Sequence, residues 1–258
     1  MVTTEWEDGV AVLTLQRPAA LNALDPALLS ALLAALNDAV HSKGARAIVL
    51  TGAGRAFSAG GDVRWFDACA AQGPERLAQA VPAWMEDAGH PVVQALAELP
   101  LPLVTAVNGP CVGGAVGLAL VADVVLAARS AYFMLPQVST LGIVPDFGST
   151  WAVGRLLGRA RALAWSLLGE RLPAERAEQW GLIWQCVDDD SLRAMAITTA
   201  RRLAQAPPRA LIGTRRLLDQ AAQTPIAAQM ADERQWQREL VRQPFFSAAC
   251  ARFSERSP

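Results

Sequence analysis

Histidine is nearly absent from this sequence. There are two in 258 residues: His41 near the end of a helical pattern, and His90 before Pro91 in a break. Neither has a neighbour that suggests a Ser-His-Asp triad or a metal site, so acid–base chemistry falls to carboxylates. Cysteine is equally sparse. Cys69, Cys111, Cys186 and Cys250 are scattered with no CxxC pair, which argues against a zinc knuckle or a redox motif and leaves four reduced, mostly buried thiols. Charge is low as well: 18% of residues are charged and the net charge is -1. Such a chain has no general attraction for nucleic acid or for anionic lipid. Arg201-Arg202 and Arg215-Arg216 sit in helical patterns and read as solvated faces. The richest apolar run, Cys111 to Ala122, is about a dozen residues, against the roughly 20 that a membrane span requires. The opening "MVTTEWEDGV" lacks a basic stretch followed by an apolar one, so no secretory signal is expected. A soluble, cytoplasmic protein is the expectation, without membrane or nucleic-acid partners.

What is present is a globular composition, 52% apolar, long enough for a sizeable core. "VAVLTL" (10–15), "AIVLTG" (47–52), "LVTAVNG" (103–109) and "VVLAA" (124–128) read as buried strands. Asp25 followed by Pro26 predicts a helix start, with an apolar stripe at helical spacing through Leu28, Leu29, Leu32, Leu33, Leu36 and Val40. Residues 74–99 read as helical with interruptions at Pro82 and Pro91. "GGAVGLALVAD" predicts a tightly packed helix. Beyond Asp146 the helices are expected near 149–157, 159–168, 173–180, 190–206, 208–221 and 225–243, with one short strand, "IWQCV". Strands and helices alternate early and helices gather late. The expected architecture is an α/β core over 1–200 and a helical C-terminal region over 201–258, with Pro207-Pro208 as a local boundary. The tryptophans other than Trp6 read as core or subunit-interface anchors.

Two glycine-containing loops each follow a strand: Phe57-Ser58-Ala59-Gly60-Gly61-Asp62 and Asn108-Gly109-Pro110-Cys111-Val112-Gly113-Gly114-Ala115. Glycine lets backbone N–H groups face a ligand, and two such loops on neighbouring strands can aim two N–H groups at one oxygen. Gly113-Gly114 also precede a helix, whose N-terminus favours negative charge. Taken singly, each loop reads first as a tight strand-to-helix turn, because turn glycines are common. A third stretch, "LGIVPDFGST", sets Asp146 among Ile143, Val144 and Phe147. Asp146 has two readings. It is a turn or N-cap residue for the helix near Ser149, or it is a catalytic acid–base whose apolar surroundings raise its pKa.

The segments "RPAALNAL", "AFSAGGD", "AVNGPCVGGAVGLALVADVVLA" and "LGIVPDFGSTWAVGRLLG" occur in an order and spacing that resemble the enoyl-CoA hydratase/isomerase family, the crotonase superfamily, over nearly the whole chain. The resemblance implies a superhelix of ββα units with a helical C-terminal trimerisation region, a homotrimer or dimer of trimers, and an acyl-CoA substrate. It implies no metal and no cofactor apart from the coenzyme A carried by the substrate. It also implies that the backbone N–H groups of Ala59 and Gly114 hold the thioester carbonyl. Arg17 would contact the phosphate or adenine side of coenzyme A, with Asp62, Val63 and Trp65 around the adenine and Gly60 and Gly113 along the ligand. Hydratases of the family use two glutamates, and the matching positions here are Gly117 and Gln137. Neither can serve as acid or base, and the gap at Gly117 leaves room for a cyclic acyl group. Within the family the later segments come nearest to isomerases of ring-epoxide aryl-acetyl-CoA esters, whose Asp in the V-P-D stretch is the acid–base residue; that implies a shift of an acyl-CoA double bond through Asp146. Dehalogenases of the family use an Asp there as a nucleophile with a histidine, and neither His41 nor His90 falls in a matching glycine-loop context. A hydratase-like or hydrolytic reaction and a non-catalytic CoA-ester-binding role are the alternatives. In the tail, Glu255 stands beside Arg256 where relatives carry a lysine that meets coenzyme A.

Overall fold

The computed structural model describes residues 1–42 and 44–255; Arg256 of the tail reading lies outside them. The chain divides into two compact units, Met1–Arg201 and Arg202–Pro258.

The first unit opens with a hairpin of β1 (Val2–Glu7) and β2 (Val10–Leu15). β1 was not foreseen. Asp8 and Gly9 form its two-residue turn, both with positive φ, the backbone that an Asp-Gly hairpin turn demands. Helix α1 (Pro26–His41) follows, and the expected cap is in place: the Asp25 carboxylate accepts from the Leu28 N–H at 2.7 Å. β3 (Ala47–Gly52) leads into α2 (Val63–Ala70) and α3 (Pro74–Trp84). The chain stays helical through Pro82. The irregularity falls instead at a wide turn, Met85–Gly89, and Pro91 sits in the first turn of α4 (His90–Ala97), where a missing N–H costs nothing.

Strands β4 (Leu103–Val107) and β5 (Cys111–Val112) precede α5 (Gly114–Leu120), every residue of which is buried. β6 (Val124–Ala128), β7 (Tyr132–Met134) and α6 (Ser149–Leu168) come next. Gly158, at φ 68° and ψ 162°, breaks α6 into the two expected pieces. β8 (Leu172–Pro173), α7 (Ala174–Trp180), β9 (Gln185–Val187) and α8 (Leu192–Leu203) complete the series.

Among the described residues the strands form a six-stranded sheet in the order β1-β2-β3-β4-β6-β9 and a three-stranded sheet β5-β7-β8. Every pairing in the larger sheet after β1–β2 is parallel. Parallel strands are covered on both faces, which is why β2, β3 and β4 read as apolar runs interrupted only by one threonine each rather than as alternating ones. Single parallel bridges, Leu24↔Gly61 and Ser58↔Cys111, tie the first glycine loop to the chain before α1 and to the second loop.

The second unit holds α9 (Pro208–Ala221), α10 (Ile226–Leu240) and α11 (Pro244–Ser254); α11 was not foreseen. Gly213 lets α9 approach the Trp236 ring, where a Cβ would lie 2.8 Å from Cδ2, and the Gln229 amide donates to the Leu217 carbonyl at 2.8 Å. Of the four free cysteines only Cys69 and Cys111 are buried. Trp84 and Trp165 are buried, whereas Trp151 and Trp184 are exposed. No helix among the described residues is long and apolar enough to cross a membrane.

Candidate active site

A cavity of about 350 Å³ opens where the two glycine loops meet the segment before α6. Ala59 and Gly61 come from the first loop and Gly113 and Gly114 from the second. Pro136, Gln137 and the stretch Thr140–Asp146 apart from Gly142 close the third side, with Val63, Phe66, Val81 and Met85 from α2, α3 and the wide turn opposite. Asp146 is the one titratable side chain in that lining.

The cap reading of Asp146 does not hold. The residue preceding α6 is Gly148, with no side-chain cap, and it is the carbonyl of Asp146, not its carboxylate, that accepts from the Ser149 N–H at 2.9 Å. The carboxylate is left to face the cavity. Burial raises its pKa; a hydrogen bond from the Gln137 amide to Oδ1 at 3.3 Å, its own backbone and the charge of His90 oppose that rise without cancelling it. The sequence set both histidines aside, but the structure brings the influence of His90, at the start of α4, to bear on this acid.

Small residues let the acid reach its place. Phe147 has a left-handed backbone, φ 51°, followed by Gly148 at φ 76°. A non-glycine residue holds that conformation only when its surroundings fix it. Here the ring is 1% exposed, lies 5.1 Å from the Trp84 ring and presses on the backbone of Gly89. A Cβ on Gly114 would come within 2.9 Å of Asp146 Oδ1 and 3.0 Å of the Phe147 ring. A Cβ on Gly117 would overlap the Phe147 carbonyl oxygen and lie 2.8 Å from its carbon. The expectation at Gly117 is therefore corrected. The missing side chain leaves no room for substrate, because the Phe147–Ser149 backbone fills that space and Gly117 does not line the cavity.

Ala59 also needs correction. It lines the cavity, but its N–H is engaged with the Leu21 carbonyl at 2.9 Å. The Gly60 N–H is held by Ser58 Oγ at 3.2 Å, and Gly60 packs against the Val112 carbonyl without lining the cavity. The N–H left over in this loop belongs to Gly61. Leu24 bonds to the residues on either side, Gly60 O and Asp62 N, so the parallel bridge turns the Gly61 N–H away from Leu24. No acceptor among the described residues takes it, nor the N–H of Gly114, which as the first residue of α5 has no intrahelical partner. Two free N–H groups on two adjoining walls of one cavity are the raw material for stabilising an oxyanion. Gly61 was visible in the "SAGGD" run, but only the bridge register distinguishes it from Ala59. Gly113 lines the cavity and gives its N–H to Met134.

The residues expected around coenzyme A separate. Val63 is 62% exposed at the cavity wall. Asp62 caps α2 through the Arg64 N–H at 3.0 Å and pairs with Arg17 at 2.9 Å. Arg17 also pairs with Asp25 at 3.2 Å and donates to the Ala23 carbonyl, so its charge faces inward, toward the loop before α1. Trp65 packs against Phe66 and Trp84, outside the cavity lining. Among the described residues no group of three or more His, Cys, Asp or Glu is placed to hold a metal ion.

The sequence matches the enoyl-CoA hydratase/isomerase family over residues 5–258. It is 38% identical to 1,2-epoxyphenylacetyl-CoA isomerase of Escherichia coli K12 over 100% of this chain and 97% of that protein. It is 34% identical to 4-chlorobenzoyl coenzyme A dehalogenase-2 of an Arthrobacter species over 80% of this chain and 73% of the relative. Its fold superposes on the crystal structure of an enoyl-CoA hydratase from Polaromonas sp. JS666 with a TM-score of 0.87 at 30% identity, covering 100% of this chain and 98% of that one. The chain belongs to the enoyl-CoA hydratase/isomerase family, the crotonase superfamily, and is an acyl-CoA enzyme of that family.

Proposed function

We propose that this enzyme is an isomerase that shifts the double bond of an acyl-CoA thioester. The observation that carries the reading is the solitary acid: one titratable side chain, Asp146, lines a cavity that also carries two unengaged N–H groups. Hydration of an alkene needs one group to activate water and another to protonate carbon. A shift of a double bond needs only one carboxylate that takes a proton and returns it.

In this reading the thioester oxygen accepts hydrogen bonds from the N–H groups of Gly61 and Gly114. That polarises the carbonyl and acidifies C2. The Asp146 carboxylate takes a proton from C2 of a 3-enoyl-CoA, and the electron pair spreads over the thioester oxygen, C2 and C4 as a dienolate. The carboxylic acid then gives the proton to C4, leaving a 2-enoyl-CoA and a carboxylate. Loss of one such N–H donor costs about 3 kcal/mol in a transition state. The raised pKa of Asp146 suits the task, since an acid–base group works best near the operating pH. The relative that isomerises an epoxide-derived phenylacetyl-CoA supports an aryl or ring-expanded acyl group. The mostly apolar cavity is compatible with one, seated beside Phe66, Val81 and Met85 rather than at Gly117.

A second reading has one observation in its favour. His90 acts electrostatically on Asp146, and a dehalogenase is among the relatives, so Asp146 as a nucleophile with His90 activating water is the hydrolytic alternative. The two readings separate in one experiment. Phenylacetyl-CoA and 3-hexenoyl-CoA are incubated in deuterium oxide, and 4-chlorobenzoyl-CoA in water, with products read by mass spectrometry. Isomerisation predicts deuterium at C2 and conjugated product without hydration. Chloride release or thioester hydrolysis without exchange would overturn it.

A homotrimer or dimer of trimers is proposed with it. The exposed apolar residues Leu218, Ile226, Met230, Phe245 and Phe246 of the second unit support self-association, and light scattering of the purified protein tests it.

A further inference from the structure

Gln137 begins the five-residue wide turn Gln137–Leu141 and is 3% exposed. Its carboxamide nitrogen donates to Asp146 Oδ1. Its carboxamide oxygen is buried and has no partner in the structure. A buried acceptor left unpaired calls for a reason. The second glycine loop leaves the amide space: a Cβ on Gly113 would lie 3.6 Å from the Gln137 nitrogen.

A carboxamide meets a carboxyl group in two ways. A carboxylate accepts from the N–H end, and a carboxylic acid donates its O–H to the C=O end. The ends exchange by a half-turn about the terminal torsion, which is soft and two-fold. The structure holds the first arrangement, and the second would give the orphaned oxygen a partner. Resting on the reading of Asp146 as the proton shuttle, we propose that Gln137 is its positioning residue in both charge states: the nitrogen end holds the carboxylate that takes the C2 proton, and the oxygen end holds the carboxylic acid that returns it to C4. A glutamate here, as in the hydratases, would present one carboxylate to another, and an apolar residue would serve neither state.

The other titratable group whose charge reaches Asp146 is His90, at the start of α4. From α5 it is Gly114 that comes up against the carboxylate, and the helix α6 that follows meets Asp146 through the Ser149 N–H on its carbonyl; neither residue is charged. His90 is unchanged in the variants below, so a moved pH profile reports on Gln137.

The test uses full-length Gln137→Met and Gln137→Glu enzymes and the pH dependence of C2 deuterium exchange in phenylacetyl-CoA, with melting temperature and CoA-ester affinity measured alongside. Methionine keeps the length of the side chain and removes both polar ends. The expected result is an exchange rate about 10- to 100-fold lower, affinity within about threefold, and an acid limb displaced to higher pH because the donor to the carboxylate is gone. Glutamate keeps the shape, and a second carboxylate facing the first moves the limb up by about one pH unit or more. If the methionine enzyme does not melt cooperatively, the glutamate enzyme carries the test. Exchange within about twofold of the parent and an unmoved limb in the folded variants would overturn the role of Gln137. An Asp146→Asn enzyme that still exchanges overturns the shuttle itself. A silent Asp146→Asn enzyme beside an unmoved limb in the Gln137 variants overturns only the present proposal.

Discussion

Asp62 and Asp146 carry the same carboxyl group, and each stands just before a helix, yet the fold drives them in opposite directions. Burial raises the pKa of both. At Asp62, hydrogen bonds from Arg17 and the Arg64 N–H, together with the Arg17 charge, outweigh that rise and hold the carboxyl below its ordinary value of 3.8. At Asp146 the Gln137 amide, its own backbone N–H and the charge of His90 pull the other way, but with no arginine paired to the carboxylate burial prevails. What separates a structural cap from a candidate catalyst is the balance at each carboxylate between burial, heavier at Asp146, and the donors and charge supplied to it, richer at Asp62.

The sharpest way to test that contrast is to neutralise the acid at the cavity. Asp146→Asn is expected to lower C2 exchange by about 10²- to 10⁴-fold, the range that a positioned acid–base group contributes, with CoA-ester affinity changed by no more than a few fold. The same change should raise the melting temperature at neutral pH, because it removes an ionised carboxylate that burial disfavours. A variant that still turns over, or one that melts earlier than the parent, would end the comparison with Asp62.

Next in size is the backbone that seats the acid. Gly117→Ala puts a methyl group where the Phe147 carbonyl lies. Overpacking of this kind costs about 1–3 kcal/mol, and displacement of a reacting group by about 1 Å can cost about 100-fold in rate. Urea denaturation and exchange rates read the two effects separately. Gly154→Ala is the control. Nothing lies within 4 Å of its added carbon and the residue is exposed in α6, so about 0.5–1 kcal/mol of stabilisation is expected there.

The difference between these two glycines also measures how far the sequence could be read. Buried strands announced themselves as apolar runs, and the α1 cap as Asp-Pro, because those signals are local. The β1 hairpin was equally local, in Glu7-Asp8-Gly9, and was passed over because β1 is polar and mostly exposed. The site was legible as a set of motifs but not as geometry. Ala59 and Gly61 are two residues apart in one glycine loop, and which of them presents a free N–H depends on pairing with Leu21 and Leu24, contacts across 38 and 37 residues of chain. Gly117 looked like a gap because a sequence records a missing side chain but not the backbone from residue 147 that fills its place. Arg17 looked available for phosphate because its partner Asp62 is 45 residues away and Asp25, though near in sequence, meets it only through the fold of the loop before α1.

The smallest expected effect concerns Asp62 and follows from the direction of its shift. Asn at this position still caps a helix, so Asp62→Asn isolates the charge. Its loss is expected to cost about 1 kcal/mol at neutral pH, since Arg17 keeps Asp25 as a partner. Because the folded-state pKa of Asp62 lies below 3.8, its contribution is present above the unfolded value and disappears as pH falls through the folded one. The stability difference between parent and Asp62→Asn should therefore shrink toward zero on acidification. For Asp146, whose folded pKa lies above 3.8, ionisation carries a penalty that sets in as pH rises through the raised value and is absent below the unfolded one. The parent should thus be less stable than Asp146→Asn at neutral pH and equal to it in acid. Melting curves of the three proteins from about pH 7 down to pH 3 test whether these two differences have opposite signs. If both variants fell on the same side of the parent, the balance between burial and donors could not be what divides the two aspartates.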